Sequence, residues 1–567
     1  MKLAACFSFV VMALTACDSK PPHPAADVVI LHGDVRTMNP ALPVASGLAL
    51  SGGRIAFVGD DAGARQWIGA HTQVVDAAGA TVLPGLIDSH VHVAEGALAR
   101  GGCSFEDDQL TVEQAADKVH ACFANDKDTK WLVVTDVNGA GFKANRRQLD
   151  GIEHDRPLFL WGSDGHTGWV NSRALTLARI TRKTPNPDDG RIERDANGDA
   201  TGFLVDGAIG LVTAAMDPAT PEKRLEKLRW ILPQLHAVGI TAYLEANTDA
   251  ETVAAYHTLS ERQQLSARVT IALESSGANT PAEFARLKGL RAQVAGDTLL
   301  RADFIKLFAD GVMEFPTQTA ALLQPYNDAK GRPGRQTGKL YLAPEVMTAF
   351  IKQADTDGFN VHIHAIGDAA VREALDAFAA ARAAGSRRRY SIAHLQLVDA
   401  TDLPRFAALD VQPSLQLLWA QPDNYSIDAL KPWLGGGRME RLYPARSLVD
   451  DHALIAGGSD WDVSSFNPFE AMATAMSRMY PGKPERGRLN GKEALTLDEM
   501  LTAYTINAAR LIGRDGEIGS LEVGKAADVA VLDRKLMSGT TADTVRSVVV
   551  AHTFFGGREV PRVTPTH

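Results

Sequence analysis

The sequence predicts an α/β protein: a (β/α)8 TIM-like barrel, a discontinuous β-sandwich built from both chain ends, and an inserted cap subdomain. Three observations predict it. Short apolar segments alternate with amphipathic helical stretches through the middle of the chain, the pattern of a parallel sheet covered by helices. Glycine-punctuated β runs lie at both ends, and one small sandwich made from the two is the economical reading. About 140 residues separate the first middle strand from the second, too many for a structureless loop.

The elements follow in chain order. Met1-Lys2 leads into an apolar run ending near Leu14. This is a charged start and short greasy core of the secretory type, well short of the roughly 20 residues a membrane helix needs. The run closes as Leu14-Thr15-Ala16-Cys17, which resembles a bacterial lipoprotein signal. Residues 1–16 are then the leader, Cys17 the lipidated first residue, and 17–26 a polar, proline-rich tether. The alternative is an ordinary cleaved signal with an incidental cysteine. The expected location is a bacterial cell envelope, lipid-anchored and facing the periplasm.

The sandwich is expected from 27–83 and 515–567, with strands at 27–31, 47–50, 54–58, 74–76, 527–532 and 545–550. The barrel occupies 84–514. Its eight strands are expected at 86–93, 241–245, 269–273, 304–308, 361–365, 391–395, 411–415 and 454–459, with helices at 221–237, 344–357, 369–384 and 467–479. The cap is the insertion from about 95 to 215.

The 567 residues are 45% hydrophobic and 22% charged, with a net charge of −10. These values describe an ordinary globular chain and exclude a disordered chain, a coiled coil and a basic nucleic-acid surface. Four cysteines, Cys6, Cys17, Cys103 and Cys122, are too few for a disulfide-built scaffold. Cys6 leaves with the leader. An oxidising compartment predicts a Cys103–Cys122 disulfide, with two buried thiols as the alternative.

The chemistry concentrates at strand ends. In Leu86-Ile87-Asp88-Ser89-His90-Val91-His92, residues two apart share a face, so His90 and His92 converge. Paired imidazoles suit a borderline metal such as zinc. Further strands end in His362-Ile363-His364-Ala365-Ile366-Gly367-Asp368, Ala393-His394 and Gly457-Gly458-Ser459-Asp460. Barrel enzymes keep their reacting groups at these C-terminal ends. Lys306 sits within an apolar strand, where an amine is costly unless paired or modified.

This combination resembles the amidohydrolase superfamily, within it the amidohydrolase-3 group that includes YtcJ-like proteins and N-substituted formamide deformylase. Asp164-Gly165-His166, Asn467-Pro468-Phe469-Glu470 and Gly519-Ser520-Leu521-Glu522-Val523-Gly524-Lys525 add to the likeness, which extends from about residue 27 to 560. The resemblance implies a divalent metal, zinc by preference, as one ion or two. His90 and His92 would hold one ion, and His364 and His394 the other. Lys306 would bridge them as its carbamate, the alternative being a plain buried lysine beside a single ion. Asp460 would touch the metal and act as acid and base. His364 is preferred to His362 because it matches the His-Ala-Ile-Gly-Asp motif. His166 is a candidate substrate or oxyanion contact, or else a histidine bonded within its own loop. The implied activity is hydrolysis of a non-peptide C–N bond, amide or formamide, in a small molecule. The same site would serve an ester or lactone, and a catalytically silent binding protein on this fold is the third reading. The expected partners are a small-molecule substrate and, through the lipid anchor, a membrane. Nucleic acid is not expected, and a homodimer is left open.

Overall fold

A computed structural model describes residues 24–100, 102–125 and 129–564. The leader, Cys6, Cys17 and most of the tether lie outside the described residues.

Eight parallel strands form one sheet in chain order: Leu86–Val91, Ile240–Thr248, Arg268–Glu274, Leu300–Phe308, Asn360–Ala365, Tyr390–His394, Val411–Leu415 and Ala456–Gly457. The sheet curls until its ends meet. Gly458 N–H donates to Leu415 O (3.1 Å) of the seventh strand, and Asp460 N–H donates to His90 O (2.8 Å), joining the end of the last strand to the first. The eighth strand is shorter than the 454–459 expected. Asp460 has left-handed backbone, φ 54°, which ends extended pairing there. Gly458 suits this seam because a Cβ would lie 3.0 Å from the His90 backbone nitrogen.

The helices between the strands begin where their caps dictate. Thr220 and Thr280 accept from the third helical N–H of Pro221–Ala237 and Pro281–Gln293, and each helix opens on proline. The first-turn proline costs nothing because its missing N–H would have no helical acceptor. Leu225, Leu228, Ile231, Leu232 and Leu235 are buried along the first of these helices. Their three- and four-residue spacing makes the stripe that packs on the barrel.

Outside the barrel lie two sheets drawn from the chain ends. One contains Val28–Leu31, Gly47–Ser51, Arg54–Gly59 and Gln73–Asp76. The other pairs Thr81–Pro84 with Val529–Leu532 antiparallel, Val82 opposite Val531, and continues to Val550–Phe555. Ile30, Leu48 and Ile55 of the first sheet share a buried cluster with Val82, Val529 and Phe554 of the second. The strand expected at 545–550 is a correction. Ala542–Arg546 is a helix capped by Thr541, and extended pairing starts only at Val550. The valine-rich run mimics a strand, but the hydroxyl cap and the burial of Val545 on the helix decide the local structure.

The segment between the first and second barrel strands forms its own six-stranded mixed sheet. Its strands are Cys103–Ser104, Leu132–Val137, Leu158–Gly162, Thr167–Val170, Gly190–Arg194 and Ala200–Asp206. Phe105, Val134, Leu149, Leu160 and Trp169 form part of its core. Cys103 and Cys122 form a disulfide with Cα atoms 5.6 Å apart, tying the edge strand to the helix Val112–Phe123. The bond closes a loop with a sequence separation of 19, which confers about 3 kcal/mol through restriction of the unfolded chain. Cys103→Ala with Cys122→Ala is therefore expected to lower the thermal midpoint of this segment, read by calorimetry. An unchanged midpoint would show that the packed sheet alone sets its stability. Among the described residues no helix is long and apolar enough to cross a membrane.

Candidate metal centre

The first barrel strand carries the centre. His90 is fully buried, and Asp88 two residues before it braces the strand end. Asp88 Oδ1 accepts the backbone N–H of His90 (3.0 Å) and of Ser459 (3.0 Å), bridging first and last strands. Burial pushes this carboxyl up to about 7.

His90 Nε2 and His92 Nε2 each lie 3.2 Å from Asp460 Oδ1. The three groups present ligand atoms within 4.8 Å of one another. Lys306, 1% exposed, reaches the same point, with Nζ 3.3 Å from His90 Nε2. His90 Nδ1 is 2.6 Å from His362 Nε2, and His362 Nδ1 is 2.7 Å from Ser391 Oγ. Burial drives both rings toward the neutral form, His90 to about 3. One tautomer satisfies every bond in this chain: Lys306 donates to His90, His90 Nδ1–H to His362, and His362 Nδ1–H to Ser391. The His90 Nε2 lone pair, which here accepts from Lys306, is the one a metal at the centre would take. His362, on the same face but deeper, orients His90 from behind.

His364 and His394 stand beside this group, their ring centroids 4.4 Å apart and His394 4.8 Å from His90. His394 Nδ1 is 3.9 Å from Asp460 Oδ2, and its ring stacks on Trp419 at 5.5 Å. His364 Nε2 donates to Gly311 O (3.1 Å), so in the neutral ring, which burial favours, Nδ1 holds the lone pair. Asp310 shapes the turn after His364 by accepting the backbone N–H groups of Ala321 (2.8 Å), Ile366 (3.0 Å) and Gly367 (2.9 Å).

The donor set fits a divalent cation. His90, His92 and Asp460 gather two imidazole nitrogens and a carboxylate oxygen within 4.8 Å, the donor types that zinc takes. Buried His92 Nδ1 and His394 Nδ1 have no hydrogen-bond partner among the described residues. Burial pushes His92 down, yet Asp460 opposite it reverses the sign and its pKa is raised. Burial alone would push Asp460 up, but the imidazoles of His90, His92 and His394 hold it well below the usual carboxylate range.

His166 arrives from the inserted sheet. Its Nδ1 is 2.6 Å from Asp206 Oδ1, and its ring centroid is 5.6 Å from that of His364. Asp164 Oδ1 accepts the backbone N–H of His166 and of Thr167 (2.9 Å each), fixing the turn that presents the ring. The reading of His166 as a residue bonded within its own loop is met only in part: its backbone is held locally, but its ring is held by a distant aspartate. Sequence reasoning missed Asp206, Asp88 and Trp419. Asp206 reaches His166 through antiparallel pairing of Thr167 with Val205, a register no local motif announces. Asp88 lay within the quoted motif, and its two-residue spacing from His90 was the available signal.

A family model described as the amidohydrolase family matches residues 73–561. The chain belongs to the amidohydrolase family. This amidohydrolase is 30% identical over 563 residues to Protein LONG AFTER FAR-RED 3 of Arabidopsis thaliana, covering 94% of this chain and 91% of the relative. It is 29% identical to the N-substituted formamide deformylase of Arthrobacter pascens, covering 94% and 97%. Among solved structures, an uncharacterized metal-dependent hydrolase from Pyrococcus horikoshii superposes with a TM-score of 0.68 at 23% identity, over 88% of this chain and 96% of that one. That likeness speaks for the fold alone.

Proposed function

We propose that this amidohydrolase is a metal-dependent hydrolase of a non-peptide C–N bond, amide or formamide, in a small molecule. The observation that carries the reading is Asp460 Oδ1 standing 3.2 Å from both His90 Nε2 and His92 Nε2. His90, His92 and Asp460 would hold one ion, His364 and His394 would hold a second, and Lys306 as its carbamate would be a further ligand. Burial lowers the Lys306 amine to about 7, which supplies the neutral nitrogen that carbamate formation requires. A divalent ion held there, zinc by its preference for imidazole and carboxylate donors, would lower the pKa of water toward neutrality and polarise a carbonyl. Asp460 takes the proton released beside it and delivers it to the leaving nitrogen, which departs poorly unprotonated. His166, held at Nδ1 by Asp206, presents its remaining nitrogen to the substrate carbonyl oxygen.

The inserted sheet is read as a cap over the barrel mouth, and the two terminal sheets as one discontinuous sandwich. The Cys17 signal assigns the protein to the envelope as a periplasm-facing lipoprotein, and a disulfide in the cap accords with that compartment.

Elemental analysis of the purified protein, with turnover on matched panels of N-formyl amides, N-acyl amides and esters, tests the reading. Two ions per chain and turnover of amides above esters are expected, both lost on chelation. Lys306→Ala is expected to leave one ion. A metal-loaded protein that cleaves esters but no amide would overturn the assignment.

A further inference from the structure

Four carboxylates crowd the mouth of the barrel beside the metal centre. Asp107 and Asp164 come from the inserted segment, Glu314 from the loop after the fourth strand, and Asp423 from the loop after the seventh. Burial first, then repulsion from one another, raises Glu314 to about 7 and Asp423 to about 6, with Asp107 also raised. Among the described residues none of the four is ion-paired. Asp107 accepts from Ser163 Oγ and from Tyr425 Oη (2.6 Å), Asp423 from Ser426 N–H (2.8 Å), and Glu314 from Gln396 Nε2 (3.2 Å). Arg486, the base whose charge reaches Asp423, directs its guanidinium to Pro422 O (3.2 Å) and Asn424 Oδ1 (3.0 Å) instead.

A second observation points to what is missing. Gln396, two residues past His394, is 4% exposed. Its amide nitrogen lies on Glu314 and, at 3.0 Å, on Tyr443 Oη, while its Oε1 has no partner. An orphaned buried acceptor against an unpaired carboxylate calls for an N–H donor that the chain does not supply. The walls nearby in sequence are aromatic: Trp419 stacks on His394, two residues before Gln396, and Phe315, next to Glu314, stacks on Trp433 at 4.3 Å. Carboxylates and an amide oxygen together recognise an alkylammonium ion, which offers them charge-assisted N–H donors.

We propose that this rim is a substrate subsite for a protonated amine: the amide cleaved at the metal centre carries, at its far end, an ammonium group received by Glu314 and Gln396 Oε1 in the field of Asp164 and Asp423. The inference rests on the hydrolase reading above and deepens it.

The test uses the full-length zinc-loaded protein and three formamides of one length: mono-N-formylcadaverine, N-formylhexylamine and N-formylaminocaproate, ending in ammonium, methyl and carboxylate. Titration calorimetry with hexylammonium against hexanol runs in parallel. The expected order of kcat/KM is ammonium above methyl above carboxylate, with the first step about tenfold or more. Glu314→Gln is expected to collapse that ratio toward one and to weaken hexylammonium binding about tenfold, and Asp423→Asn to move both in the same direction by less. Equal turnover of the ammonium and methyl substrates overturns the subsite, as does hexylammonium binding no tighter than hexanol, or displacement of hexylammonium by calcium ions taken up at the rim. If no formamide is cleaved, the formamide branch of the hydrolase reading fails and the titration still decides the subsite.

Discussion

Asp460→Asn is expected to cut kcat about 10²–10⁴-fold while metal content stays at the wild-type level. The substitution keeps an oxygen for the face 3.2 Å from His90 Nε2 and His92 Nε2, so the ligand geometry survives. It removes the group that can carry a proton. Asp460 is suited to that task because the surrounding imidazoles keep it ionised despite its burial. The effect should fall on kcat and kcat/KM alike, as for an interaction made only in the transition state. Steady-state kinetics, metal analysis and circular dichroism on one preparation provide the check. Wild-type turnover in a fully metal-loaded variant would remove Asp460 from proton transfer.

The second large effect is on stability. Arg478 is fully buried, and its guanidinium donates to Leu489 O (3.0 Å), Tyr443 O (3.3 Å) and Leu442 O (3.2 Å). Burial lowers its pKa to about 10, and backbone carbonyls rather than an ion pair solvate the charge. These bonds hold the loop before the Ala445–Asp450 helix against the segment that follows Pro468–Ser477. Arg478→Leu removes three donors from buried acceptors and leaves a void, so a loss of about 3–5 kcal/mol is expected. Chemical denaturation reads it as a lower midpoint. A shift below about 1 kcal/mol would mean that water replaces the guanidinium without cost.

Much of the fold was legible because local rules and tertiary packing agree. Pro221–Ala237 begins and ends as read, since Thr220 and Pro221 signal the start and Gly239 follows its end. His90 and His92 were legible because strands repeat every two residues. The structure brings those two and Asp460 into one group of potential ligands, with Lys306, His364 and His394 alongside. What local pattern could not give was long-range register. The Asp206–His166 bond depends on antiparallel neighbours within the insert. The His90–His362–Ser391 chain depends on how the first, fifth and sixth strands face across the barrel interior. The 545–550 segment failed for the opposite reason, because β-branched composition spoke louder than a single hydroxyl cap.

The bond from Asp460 N–H to His90 O makes the centre an and-gate on completion of the ring. Its paired imidazoles are encoded early in the chain and its acid late, and the backbone that brings them together exists only after the last strand docks. A nascent or clipped chain ending before that strand holds two histidines without the carboxylate facing them. The ligand group His90, His92 and Asp460 is therefore complete only in the finished molecule.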